Sequence, residues 1–144
     1  MSDTIGTLTR YAAFMQALRP ADLDRLDEMF TPDVRFSDPF SDVSGHAGLR
    51  AVFGAMFADM EAPRFEVLDI APTPRGGYLK WRFTGQLRGG ALDFVGTSEV
   101  EVRDGLIARH TDYWDAARGV YETLPVLGGL LRLLRRRIGH ADRE

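Results

Sequence analysis

Cysteine is absent from all 144 residues, which excludes disulfides, thiolate nucleophiles and cysteine-held zinc or iron–sulfur centres. Histidine is scarce. His46, His110 and His140 are too far apart to share one helical face as metal ligands, so no metal is expected, and no cofactor either. No apolar run reaches the ~18 residues that span a bilayer. The opening Met1-Ser2-Asp3-Thr4 lacks the basic start and apolar stretch of a signal peptide, and a cytoplasmic location is expected. Positive charge is not in excess either. The formal net charge is −3, and no basic-aromatic platform interrupts it, so nucleic acid is not an expected partner. Internal repeats, low-complexity tracts and interdomain linkers are missing.

What remains is the composition of one folded domain: 44% hydrophobic and 27% charged residues, in a chain long enough to bury a core and too short for two ordinary domains. Ile5, Leu8, Tyr11, Ala12, Met15 and Leu18 recur at helical spacing and predict a first helix ending near Arg19-Pro20, with Tyr11 in its apolar face. Leu23, Leu26 and Phe30 predict a second, short helix that stops before Pro32, and Val34-Arg35-Phe36 a brief strand leading into Asp38-Pro39. Leu49, Val52, Phe53, Met56, Phe57 and Met60 form the stripe of a third helix beginning after Gly45.

From Arg64 onward the period changes to two. Strands are predicted from Phe65 to Ile70, Tyr78 to Leu87, Leu92 to Arg103 and Leu106 to Trp114, separated by Arg75-Gly76-Gly77, Arg88-Gly89-Gly90 and Asp104-Gly105. Trp81 and Phe83 share one face of the second of these strands, and Ser98 lies on the dry face of the third. Helices first and consecutive antiparallel strands afterwards mean α+β, with helices covering one face of a curved sheet.

The last strand concentrates chemistry. In His110-Thr111-Asp112-Tyr113-Trp114-Asp115, alternation sends His110, Asp112 and Trp114 to one face. If that face is the inner one, a carboxylate is placed among apolar walls, where its charge is costly unless paired or used.

The run Arg10-Tyr11, Asp22-Leu23-Asp24, Phe30, Val34 to Pro39 and Gly45, followed by the helix to Met60, resembles the N-terminal half of ketosteroid isomerases and of the wider nuclear transport factor 2-like and SnoaL-like superfamily. The hairpin from Asp104-Gly105 into His110 to Asp115 resembles the end of SnoaL-like proteins and of limonene epoxide hydrolases. The resemblance covers roughly residues 5 to 118. It implies a cone-shaped antiparallel sheet wrapped around the N-terminal helices, an apolar pocket inside, and a homodimer formed through the sheet.

The same resemblance implies site residues. Asp38, followed by Pro39, falls on the position of the isomerase base, whose oxyanion hole pairs a Tyr with a protonated Asp. Either Tyr11 or Phe14 occupies the Tyr position, and Ser98 stands where the protonated Asp would be. Asp112 matches the Asp that orients water in the epoxide hydrolases and acts as acid or base in SnoaL-like cyclases. The Arg-x-Asp of the hydrolases finds only Arg82-Phe83-Thr84. Asp38, Asp112, His110 and Tyr11 are therefore the catalytic candidates, and Trp81, Phe83, Ser98, Trp114, Phe53 and Phe57 the pocket candidates. Each has a bland alternative: a turn aspartate, an ion-paired strand end, plain core aromatics. His46 is expected to be a surface residue at a helix start.

Residues 1–118 are assigned to this domain and 119–144 to a C-terminal extension of it. There Leu127, Leu130, Leu131, Leu134 and Ile138 fall on one helical face and Arg132, Arg135 and Arg136 opposite them. The segment 126–138 reads either as a helix that caps the open mouth of the cone or packs on a partner subunit, or as an interfacial helix resting on anionic lipid. Two functional readings stay open: a cofactor-independent isomerase, cyclase or hydrolase acting on a small apolar molecule, and a non-catalytic binder of a lipid-like or polyketide-like ligand.

Overall fold

In the computed structural model, which describes residues 2–87 and 90–119, the chain opens with helix α1 (Ser2–Gln16). Leu8, Tyr11, Ala12 and Met15 are buried at helical spacing, while Ile5, on the same predicted stripe, stays exposed. The second predicted helix is instead two 3₁₀ turns, Pro20–Asp24 and Leu26–Glu28. Pro20 opens the first of them, and the Asp22 carboxylate accepts from the Arg19 N–H at 2.8 Å. Leu23 and Leu26 are buried as the helical reading requires. Phe30, however, begins strand β1 (Phe30–Ser37), and Pro32 lies within that strand rather than in front of it.

After β2 (Asp42–Ser44) comes helix α2 (Gly45–Asp59), where Gly45 takes φ +74°, a backbone state that costs glycine little. His46, in its first turn, bonds through Nε2 to the Phe30 carbonyl at 3.1 Å and is partly buried. Four long strands follow: β3 (Glu61–Thr73), β4 (Gly76–Leu87), β5 (Gly90–Arg103) and β6 (Leu106–Tyr113). Asp104 and Gly105, both at positive φ, make the tight turn between β5 and β6.

The sheet runs β2-β1-β6-β5-β4-β3. All neighbours are antiparallel except β1 and β6, which pair in parallel, so the sheet is mixed where consecutive antiparallel strands were expected. Its inward residues and both helices share one core, built on Tyr11, Phe30, Leu49, Phe53, Trp81 and Ile107. A register shift between Val67 and Asp69 bends β3 and lets Phe65, Val67 and Ile70 all pack inward. The opposite face carries the exposed Leu68, Tyr78, Val95 and Tyr113. Helix α3 (Ala116–Gly119) follows β6. The remainder of the C-terminal extension, including the segment 126–138 with its expected lipid contact, lies outside the described residues. Among the described residues no helix is long and apolar enough to cross a membrane.

Candidate active site

The inner face of β6 is where the predicted alternation places it. His110 is buried, Asp112 and Trp114 are partly buried, and all three line one cavity of about 400 Å³ between the sheet, α1 and α2. Tyr11, Asp38, Trp81, Phe83, Ser98 and Phe53 line the same cavity. Phe57 does not. Val52, Met56 and Asp59 mark the middle of the helical face that α2 turns to the cavity, and Phe57 lies further round, packed against the outside of the core.

A continuous line of hydrogen bonds crosses the cavity wall. Trp81 Nε1–H donates to Ser98 Oγ at 2.8 Å, and Ser98 donates to Asp112 Oδ1 at 2.5 Å. The same Oδ1 lies 2.6 Å from His110 Nε2, and His110 Nδ1 lies 2.7 Å from the Tyr11 hydroxyl. The indole can only donate, so the Ser98 proton must point to Asp112, which makes Oδ1 an acceptor. Nε2–H then donates to Asp112, leaving Nδ1 to accept from Tyr11 O–H. For a neutral imidazole beside an ionised Asp112, this fixes the tautomer. Asp112 Oδ2 takes no part in the line.

Register explains why these groups meet. Ser98 and Asp112 are direct cross-strand partners on β5 and β6, and Phe36 and His110 are partners on β1 and β6. Phe36 stacks on the imidazole, with ring centroids 4.9 Å apart and planes 22° from parallel. Gly96, two residues before Ser98, leaves room for the Trp81 indole: a Cβ there would stand 2.5 Å from Cη2 and 2.6 Å from Cζ2. The glycine thus holds open the space from which Trp81 reaches Ser98.

Tyr11, not Phe14, is the residue that faces the site; Phe14 packs edge-on against Phe30 at 5.9 Å and is not in the cavity lining. Burial, assisted by the Asp112 charge, holds the Tyr11 hydroxyl pKa well above its ordinary value, so it remains a neutral donor. Ser98 does not replace the protonated Asp as a donor to a ligand, because its one proton is committed to Asp112.

Asp38 is positioned by its own turn. Its Oδ1 accepts from the backbone N–H of Phe40 and of Ser41, both at 2.7 Å, and its N–H donates to the Ser41 carbonyl at 2.9 Å. Oδ2 is the oxygen left for other partners. Burial raises the Asp38 carboxyl pKa above the usual carboxylate value; the two backbone donors oppose that, Asp112 reinforces it, and His110 lowers it.

Several lining residues escaped the sequence reading, among them Phe36, Phe65, Phe94, Met60 and Asp59. Phe94 was legible by parity with Ser98, four residues on in β5; the stacking of Phe94 on Trp114 (4.5 Å, 21°) was not. Arg82 and Thr84 lie on the opposite sheet face, where Arg82 pairs with Asp93 through Nε and Oδ1 at 2.7 Å. Among the described residues no three His, Asp or Glu side chains are grouped to hold a metal ion.

No curated protein sequence matches the chain. Several solved structures share its fold. A protein of ketosteroid isomerase-like fold from Catenulispora acidiphila, solved with trimethylamine, superposes at TM-score 0.69 with 16% identity over 81% of this chain and 90% of its own. TsrD from Streptomyces laurentii gives 0.69 and 19% identity over 86% and 96% of the two chains. An LEH-like epoxide hydrolase from M. tuberculosis gives 0.67 and 16% over 92% of each. At these identities the likeness establishes the fold. The sequence itself supplies the family: the model of the SnoaL-like domain matches residues 11–110, and the chain belongs to that family.

Proposed function

We propose that the protein is a cofactor-independent acid–base enzyme that moves a proton on a small apolar molecule, in an isomerisation or a cyclisation. One observation carries this reading: Asp38 and the Tyr11–His110–Asp112 line both border a single cavity whose other walls are mostly apolar. A carboxyl raised by burial is a better base toward a C–H bond than one in water, and Asp38 Oδ2 is unencumbered by the turn. The proton taken from carbon next to a carbonyl passes to Oδ2. It returns to another carbon in isomerisation; in cyclisation it stays while the carbanion closes on a second carbonyl and then passes to the alkoxide so formed, which restores the base.

The oxygen that gains charge is served by the Tyr11 side. When His110 carries a second proton, Nδ1–H donates to the Tyr11 oxygen and the phenol O–H is released toward the substrate. Ser98 and Trp81 are positioning residues that hold Asp112, and through it His110. Epoxide hydrolysis is less well supported, because Arg82 and Thr84 face away from the cavity and no arginine among the described residues lines it. The trimethylamine held by the Catenulispora protein supports a cavity that receives a small organic molecule.

A purely binding role draws support from one fact, that Asp38 Oδ1 and Asp112 Oδ1 each have structural work already. Deuterium wash-in from solvent into a panel of hydrophobic cyclic ketones, followed by NMR, separates the two readings. Enzyme-dependent exchange that disappears in Asp38→Asn while ketone binding persists supports catalysis. Ketones that bind with no exchange above the buffer rate would establish the binding module instead.

A further inference from the structure

Among the described residues five carboxylates pair with an arginine, and none of the five lines the cavity: Glu28 with Arg25, Asp42 with Arg35, Asp93 with Arg82, Asp33 with Arg103 and Asp115 with Arg118. Among the described residues, the three that line the cavity, Asp38, Asp59 and Asp112, pair with no arginine, and no lysine or arginine lines it. Asp38 is held by backbone amides, Asp112 by Ser98 and His110, and Asp59 makes no ion pair among the described residues. The chain's one lysine, Lys80, lies on β4 between the inward Leu79 and Trp81, and so on the other face of the sheet.

Around these carboxylates the walls are aromatic. Trp81, Phe83, Phe94, Trp114, Phe65 and Phe36 line the cavity, and Phe94 and Trp114 are stacked on one another. Aromatic faces carry negative quadrupole charge and attract cations, while low-dielectric walls focus the field of nearby carboxylates. A neutral apolar guest would be accommodated by the rings alone and would leave Asp59 without an ion pair. An anionic guest would meet like charge, with no lysine or arginine among the described lining residues to offset it.

We infer that the cavity selects a cationic ligand, a flat apolar body bearing a protonated amine, with Asp59 at the rim and the aromatic walls as its receptor. The inference rests on the reading of the cavity as a small-molecule site but not on the proton transfer proposed for it. Asp59 is exposed in the last turn of α2, so it can meet an ammonium group that keeps part of its hydration.

Three isosteric probes test this on the full chain: naphthylmethylamine, naphthylmethanol and naphthoate, titrated at neutral pH and low salt by tryptophan fluorescence and calorimetry. The amine should bind about tenfold more tightly than the alcohol, and naphthoate about tenfold more weakly than the alcohol. Asp59→Asn, at an exposed position, should keep the fold and narrow the amine preference by at least about threefold. Equal affinity for amine and alcohol, or tightest binding of naphthoate, overturns the charge selection and leaves the apolar-pocket reading standing. An amine preference unchanged in both Asp59→Asn and Asp112→Asn overturns the assignment to these carboxylates. Failure of all three probes to bind removes the small-molecule reading together with the inference.

Discussion

Replacing Asp38 by Asn and by Ala separates two roles that one carboxyl holds. As a turn residue, Asp38 gives Oδ1 to two backbone N–H groups at 2.7 Å; as a titrating group, it keeps its proton to a higher pH than an ordinary aspartate. Asn retains an amide oxygen in the same place and does not titrate. Ala loses both acceptor bonds, and since the turn is partly exposed, water replaces part of what is lost. The loss should resemble that of a helix-capping side chain, about 1–2 kcal/mol, whereas Asn should lie within about 0.5 kcal/mol of the wild type at acid pH. The pH dependence has a definite sign. A carboxyl whose pKa is raised by folding binds more protons in the folded state, so wild-type stability falls as pH rises from the ordinary aspartate value toward the folded one. Asp38→Asn lacks that term, and its stability relative to wild type should improve over this window, then level off. Urea unfolding of the three proteins at a series of pH values measures both effects. If Asn costs as much as Ala, or if the difference between Asn and wild type is flat in pH, the carboxyl is not held and perturbed as described.

Tyr11→Phe removes the donor to a buried Nδ1 and should cost about 1–3 kcal/mol in denaturant melts, with part of the loss recovered when His110 is also replaced by Phe; strict additivity would deny the bond. Gly96→Ala drives a methyl into the Trp81 indole and should destabilise by about 1–3 kcal/mol while weakening probe binding; unchanged tryptophan emission and affinity would mean the ring has slack. The homodimer expected through the sheet would use the face that exposes Val95 and Tyr113. Sedimentation should then give twice the chain mass, and Val95→Glu the monomer; a monomeric wild type removes that expectation.

The strands from β3 to β6 were legible because alternation and turn dipeptides are local signals, and α2 because its stripe is long. The N-terminal connection was not, and Pro32 shows why. Read alone, a proline after Phe30 marks a helix stop. In the fold it stands between Phe30, opposite Ile107, and Arg35, opposite Arg109, where the β1–β6 pairing shifts register and the ladder does not need the N–H that proline lacks. Nothing near Pro32 in sequence announces β6. The same limit applies to Phe57, whose helical phase allows burial on either the cavity or its flank, and to the choice between Tyr11 and Phe14, which only the position of His110 decides.

The relation between positions 98 and 112 is the most consequential of these long-range facts. By the family resemblance a carboxyl belongs at 98, where this chain has serine, and sequence comparison alone makes that a loss. In the sheet, 98 and 112 face each other across one strand spacing, side chains about 5 Å apart at their origins. In this chain the carboxyl of the pair stands on the neighbouring strand, at 112, and Ser98 fixes it in place with a hydrogen bond backed by Trp81. That position changes what the acid can do. On β6 it lies two residues from His110, and the pair extends to Tyr11, so a group that would act as a single donor becomes one end of a three-residue line. Ser98→Asp therefore sets two carboxylates against each other at Asp112 Oδ1, and the line from that oxygen through His110 to Tyr11 depends on there being one at that point.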